Sequence, residues 1–316
     1  MPNNCMEDDF KKSVLSTVCY YDVLNYPLTL FEIWKHLLAT GDEVKNGDKK
    51  VALKDVLLIL KEADLQRFID SKKGMYFLKG RDGLVENRVR RNKISILKIR
   101  KMKKTIDLLK IAPFVRMILV TGKLAMKNAH PKSDWDVLVV LKENRIWIGR
   151  TFITLWAHFL GRRRHHDRIR NRVCLNYFIT TNSLEIRNKD LYSASEYFFC
   201  FPLFDKKNYF QKFQIRNHWI RKYKPNYYLS LTGNLLTSGD TKISKFCRAL
   251  LENLFDWNFL EKYLEKIETK KIKENPKTNN ENSLIDADKS ALIFLPNPQG
   301  PKVFEKFKNK MQGFRL

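Results

Sequence analysis

Residues 120–140, VTGKLAMKNAHPKSDWDVLVV, decide the reading of this chain. A short apolar strand ends in a Thr-Gly turn, and a polar stretch able to start a helix follows. Ser-Asp-Trp-Asp then runs into four aliphatic residues. Alternate residues of a strand share a face, with Cα atoms roughly 6.5–7 Å apart. Asp134 and Asp136 therefore project side by side, and Trp135 points the other way. Two carboxylates that close repel each other, and burying them unpaired is costly. Either they cap loops at a strand start and face water, or a divalent cation sits between them. The aliphatic run makes the strand central and a glycine turn lies shortly before it, which favours the cation. Mg²⁺ (or Mn²⁺) suits such a pair, because it takes carboxylate oxygens supplemented by phosphate oxygens of a substrate.

The 316 residues suffice for about two domains with sizeable cores. A hydrophobic content of 44% with 12% aromatic residues excludes a disordered chain. The formal net charge of +26 attracts a polyanion, RNA or DNA, or an anionic surface. A solvated lysine surface gives the same excess, since the charge is spread along the whole chain. Cys5, Cys19, Cys174, Cys200 and Cys247 show no paired spacing. That argues against a disulfide framework or a zinc site and for a reducing compartment. The start, MPNNCMEDDF, is polar and acidic, unlike a secretion signal. The longest apolar run, IWIGRTFITLWAHFL (146–160), is too short for a bilayer and carries Arg150, so it reads as a buried helix. A cytoplasmic protein with no membrane partner is expected.

Residues 11–24 are apolar at helical spacing and stop before Pro27, which disfavours helical geometry at Tyr26. Thr29 is placed to cap a second helix, LFEIWKHLL, with Glu32 completing a capping box. After a polar loop holding Gly41 and Gly47, a third helix is expected over 51–63. A hairpin turning at Lys72-Lys73-Gly74 follows. Three helices and a hairpin resemble a winged helix-turn-helix, whose third helix would face a DNA groove. Here that helix offers Lys54, Asp55, Lys61, Glu62 and Asp64, a mixed set that suits packing or oligomerisation better than base reading.

One long helix is predicted over 84–111. Val85, Val89, Ile96, Ile99, Met102, Ile106 and Leu109 are expected on one face, and the remainder is basic (RVRR, then KIRKMKK). From Pro113 onward strands and helices alternate. Strands are predicted over 115–121, 134–141 and 173–180, a short helix over 123–128 and the buried helix over 146–160. This is an α/β unit with helices over a small sheet. Beyond residue 191 aromatic-rich helices are expected, with 268–283 a polar loop, ALIFL a short strand and VFEKFKNKM a last helix.

A strand ending in a Gly-Ser turn, a helical turn, then Asp-x-Asp on the next strand is the motif of the polymerase-β-like nucleotidyltransferases. VTGKLAMKNAHPKSDWDVLVV resembles it in order, spacing and hydrophobic framing. More broadly, YYDVLNYPLT, GMYFLKGR, FVRMILVTG and RNRVCLNYF are similar to bacterial proteins named only for a nucleotidyltransferase domain. The resemblance implies Asp134 and Asp136 as catalytic ligands of Mg²⁺. It also implies an NTP, ATP foremost, whose phosphates lie among Gly122, Lys123 and Ser133, with an acceptor hydroxyl attacking the α-phosphate. Lys123 stands where the family has Ser and offers phosphate a point charge. The family's third carboxylate comes from a neighbouring strand, and the matching VCLNYF offers only Asn176, a carbonyl oxygen without a basic site.

Between the buried helix and the third strand lies GRRRHHDRIRNR (161–172), with six arginines. Guanidinium forks match phosphate oxygens, so Arg168 and Arg170 are candidate phosphate binders. The sequence thus predicts an α+β protein in four parts: a winged-helix-like unit (1–82), a basic connecting helix (83–112), a small mixed-sheet nucleotidyltransferase core flanked by helices (113–205), and a helical C-terminal region (206–316). Three functions fit: a Mg²⁺-dependent nucleotidyltransferase, an inactive relative that binds nucleotide or RNA, and a winged-helix DNA-binding regulator. No pattern sets an oligomeric state.

Overall fold

A computed structural model describes residues 2–40, 51–229, 236–276 and 283–314. The expected loop with Gly41 and Gly47 lies outside the described residues. Helix α1 (Pro2–Val23) leads through Pro27 to β1 (Leu28–Thr29) and α2 (Leu30–Lys35). The capping box forms as its sequence requires: the Glu32 N–H donates to the Thr29 hydroxyl, and the Thr29 N–H donates to the Glu32 carboxylate at 2.9 Å. Helices α3 (Leu53–Leu60) and α4 (Ala63–Gln66) precede a hairpin of β2 (Ile69–Lys72) and β3 (Met75–Leu78). Its turn residues Lys73 and Gly74 both take positive φ, +52° and +72°, which matches the twist of a tight hairpin. These strands form a small antiparallel sheet, order β1-β3-β2, over a core that includes Val18, Leu28, Ile33, Val56 and Leu65. Part of the mixed charge on the third helix is used at home. Asp55 caps its own helix through the Ala52 N–H, and Glu62 pairs with Lys11 at 2.7 Å.

Helix α5 (Gly83–Leu109) carries Val85, Ile99, Met102, Ile106 and Leu109 inward, but Val89 and Ile96 are exposed, correcting the expected face. At about 100° per residue those two positions lie roughly 120–140° around the helix from Met102. Ser95, Lys98 and Thr105 fill the buried side instead.

The chain then builds β4 (Val115–Val120), α6 (Gly122–Ala125), β5 (Trp135–Leu141), α7 (Ile146–Phe159), β6 (Val173–Thr180), α8 (Leu191–Phe199), β7 (Phe201–Asp205) and α9 (Tyr209–Arg216). After a 3₁₀ turn at His218–Lys222 come α10 (Lys242–Phe255), α11 (Asn258–Lys273), β8 (Leu284–Ala287), β9 (Ala291–Leu295) and α12 (Gln299–Gln312). A second, mixed sheet runs in the order β7-β4-β5-β6-β9-β8, with only β5 and β6 parallel. The alternation of β5 sets its two faces. Trp135, Val137, Val139 and Leu141 join the core under α5 and α7, while Leu138 and Val140 join the core on the α8 and α9 side. Asp134 and Asp136 share the second parity.

The C-terminal stretch is not a separate helical region. β8 and β9 extend the central sheet from β6, and α12 crosses to lie on α1, with Lys310 paired to Asp22. β8 escaped notice because Asp286 and Asp288 interrupt an already short apolar run. α11 also runs to Lys273, into the expected polar loop, and residues 277–282 lie outside the described residues. No helix among the described residues is long and apolar enough to cross a membrane.

Candidate active site

One end of the central sheet gathers the last residue of β4 and the first residues of β5 and β6. β4 ends at Val120, and the Thr121 N–H donates to the Asp136 carbonyl, which ties the Gly122 turn to β5. Gly122 has φ +62°, a conformation that suits glycine. Position 122 also has no room for a side chain, since a Cβ there would lie 2.7 Å from the Asp136 Oδ2. The turn and the aspartate are in contact because the residue is glycine.

Asp134, Asp136 and Cys174 each bring a ligand atom within 4.8 Å of the others. Cys174 is the rung opposite Asp136, since paired residues of adjacent strands face the same side. Burial, followed by the charge of Asp134, pushes the Asp136 carboxyl up to about 7, against partial relief from Arg164 and Lys123. Burial and the same two aspartates push the Cys174 thiol up to about 12. A thiol that holds its proton is a poor partner for a hard cation. The donor set therefore fits Mg²⁺ or Mn²⁺ through its two carboxylates, with Cys174 a neighbour and not a ligand.

A bulge in β6 supplies the next residue. Val137 pairs with Leu175 and Leu138 with Tyr177, so Asn176 is the extra residue, and it lines the same cavity. Of the arginine-rich loop, Arg164 is the member that reaches the site. Its N–H donates to the Val173 carbonyl along the start of β6, and its guanidinium meets Asp134 at 2.6 Å. Arg168, which closes the turn at His165–Arg168, and Arg170 beyond it are exposed and do not line the cavity. Lys123 does line it and is exposed, with no ion pair to any described residue, so it does not sit as the aspartates' counter-ion. Ser133 is held in place by Lys98, whose ammonium bonds the Ser133 carbonyl at 2.7 Å and Asn171 at 2.9 Å.

The sequence missed a further carboxylate at this cavity. Glu196, on α8, faces the same cavity, and burial together with the Asp136 charge raises it to about 7, while the Gly122 N–H pulls it partly back. Two acids closer in sequence to β6 serve elsewhere: Asp190 caps α8 through the Ser193 N–H, and Glu185 pairs with Lys189. Glu196 had one signal, as the lone acid inside the apolar helical run LYSASEYFF. Asp134, Asp136, Glu196, Lys123, Arg164 and Asn176 line a cavity of about 370 Å³ that Asn297–Pro301, at the start of α12, also lines.

No family model matches this chain, and no curated protein or solved structure does either. Three carboxylates surround one turn, and two of them are raised toward neutrality, Asp136 by burial and the charge of Asp134, Glu196 by burial and the charge of Asp136. Lys123 and Arg164 stand at the edge of the cavity, and Ser133 and Asn176 add hydroxyl and amide groups. A site built this way can hold a divalent cation, attract phosphate and accept a proton near neutral pH.

Proposed function

We propose that the chain is a Mg²⁺-dependent nucleotidyltransferase of the polymerase-β-like kind. It moves a nucleoside monophosphate from an NTP, ATP in the first instance, to a hydroxyl acceptor. The observation that carries this reading is the contact of the Gly122 turn with Asp136, beside Asp134 and opposite Glu196, at the floor of one cavity. The N-terminal helices and three-stranded sheet fit a winged-helix-like packing module attached to that core.

Asp134 and Asp136 would hold the cation, which when bound offsets the charge of the phosphates. Lys123 and Arg164 add positive charge to the triphosphate. Ser133 and Asn176 give it hydrogen bonds. The acceptor oxygen forms a bond to the α-phosphorus as the bond from that phosphorus to the β-phosphate bridging oxygen breaks, and pyrophosphate leaves. The hydroxyl proton passes to Glu196, a carboxylate poised near 7 and so matched to proton transfer at neutral pH.

One observation favours a second reading, a relative that binds nucleotide without turnover: Arg164 already occupies Asp134 at 2.6 Å. Its side chain is 44% exposed, however, and exposed pairs contribute about 0–1 kcal/mol, so a cation and a triphosphate can displace it. Transfer of label from [α-³²P]ATP, run beside calorimetric titration of ATP with Mg²⁺, separates the readings. Turnover in the wild type that Asp136→Asn abolishes supports the enzyme. Tight binding without turnover supports the second reading, and equal label in both proteins removes Asp136 from the chemistry.

A further inference from the structure

A second cavity of about 360 Å³ adjoins the first. The two share Gly122, Lys123, Tyr192, Glu196 and Gln299 as a common wall. The first side of that wall carries Asp134 and Asp136. The second side carries no aspartate: Val23 of α1 and Leu24 after it, Met126 after α6 and Val303 of α12 give it apolar lining, with Asn25, Asn128, Lys302, Glu305 and Lys306 around them. Tyr20 also lines it. Its hydroxyl is fully buried, beside Ser195.

We infer that this second cavity is the acceptor site, and that the acceptor is a single small molecule carrying a hydroxyl on an apolar body. The inference rests on the transferase reading above. Glu196 in the shared wall is the point at which an acceptor hydroxyl on one side meets the triphosphate on the other. Size selects the class. A few hundred cubic ångströms hold one small molecule, whereas a nucleic-acid strand needs a groove along which successive bases stack. The cavity is walled by α1 and α12, which are held together by the edge contact of Tyr20 with Phe307 at 5.5 Å and by the Lys310–Asp22 ion pair.

Saturation-transfer NMR on the full-length protein tests this, with a panel of small phenols, aryl glycosides and aliphatic alcohols as probes. Saturating α,β-methylene-ATP with Mg²⁺ is added in a second arm. Panel members should bind with the nucleotide present, and their affinity should fall at least about tenfold in Val303→Trp and in Met126→Trp. Melting curves show that each variant is folded, and either one suffices. Label from [α-³²P]ATP should appear on a panel member and on neither single-stranded RNA nor single-stranded DNA. Absence of any bound probe, displacement of probes by the nucleotide, unchanged binding in both tryptophan variants, or label on a nucleic acid would each overturn the assignment. The two readings fail separately. A wild type that does not bind the nucleotide ends the transferase reading, whereas probes displaced by a well-bound nucleotide end only the acceptor site.

Discussion

Gly122 and Asp136 touch so closely that the turn has no room for a side chain: a Cβ on residue 122 would sit 2.7 Å from the Asp136 Oδ2. The turn also holds φ at +62°. Gly122→Ala therefore meets two costs at once, a left-handed backbone and a clash that forces the Asp136 carboxylate to shift. Destabilisation of about 1–3 kcal/mol is expected, with transfer activity falling at least about tenfold as Asp136 is displaced. Thermal melting and the label-transfer assay read the two effects separately.

Asp136 should weaken the metal-free protein at alkaline pH. Its carboxyl is raised from 3.8 to about 7 by burial and by Asp134. A raised acid leaves stability intact below its unfolded value and removes it as pH rises through the folded one. Between about pH 4 and 7 the metal-free protein should therefore lose stability on this account. Asp136→Asn abolishes the charge and should be more stable than wild type at pH 8 in EDTA, by on the order of 1–3 kcal/mol. Mg²⁺ should stabilise the wild type and leave the variant unmoved, which differential scanning calorimetry can check.

Glu196→Gln separates proton transfer from binding. Glutamine keeps the shape and can still accept from the Gly122 N–H, but it takes no proton from an acceptor. A fall in kcat of about 10²–10⁴ is expected, with the calorimetric affinity for ATP in Mg²⁺ little changed. A loss confined to ATP affinity would show instead that Glu196 holds the cation or the nucleotide.

The fold was legible where one residue parity or one turn decides it. Aliphatic β5 with its two leading aspartates, the Thr29–Glu32 capping box and the Lys73-Gly74 hairpin all follow from local chemistry. What escaped depends on contacts distant in sequence. Glu196 reaches Asp136 from α8, 60 positions on by number, and a helix presents no alternation to mark it. Arg164 was hidden among its neighbours, because the rung beside Val173, and not composition, selects which arginine reaches Asp134. The wall that α12 gives to both cavities arises from its docking on α1, almost the length of the chain away.

The interface between the N-terminal unit and α8 should titrate. His36 is buried, its ring stacked on Phe199 at 4.2 Å. Burial, with Lys224, Lys35 and Arg88 nearby, holds its pKa well below the usual 6.5. The folded chain thus keeps this imidazole neutral, while the unfolded chain takes up a proton as pH falls through 6.5. His36 therefore contributes full stability above that value and loses it below, at up to about 1.4 kcal/mol per pH unit. Lys224, buried beside the His36 carbonyl and the Tyr21 ring, is likewise held well below its usual 10.5, and its loss begins at much higher pH. His36→Phe keeps the stacking and removes the titration. Its melting temperature should change less between pH 7 and pH 5 than that of the wild type, and parallel curves would mean that the acid sensitivity of this interface lies elsewhere.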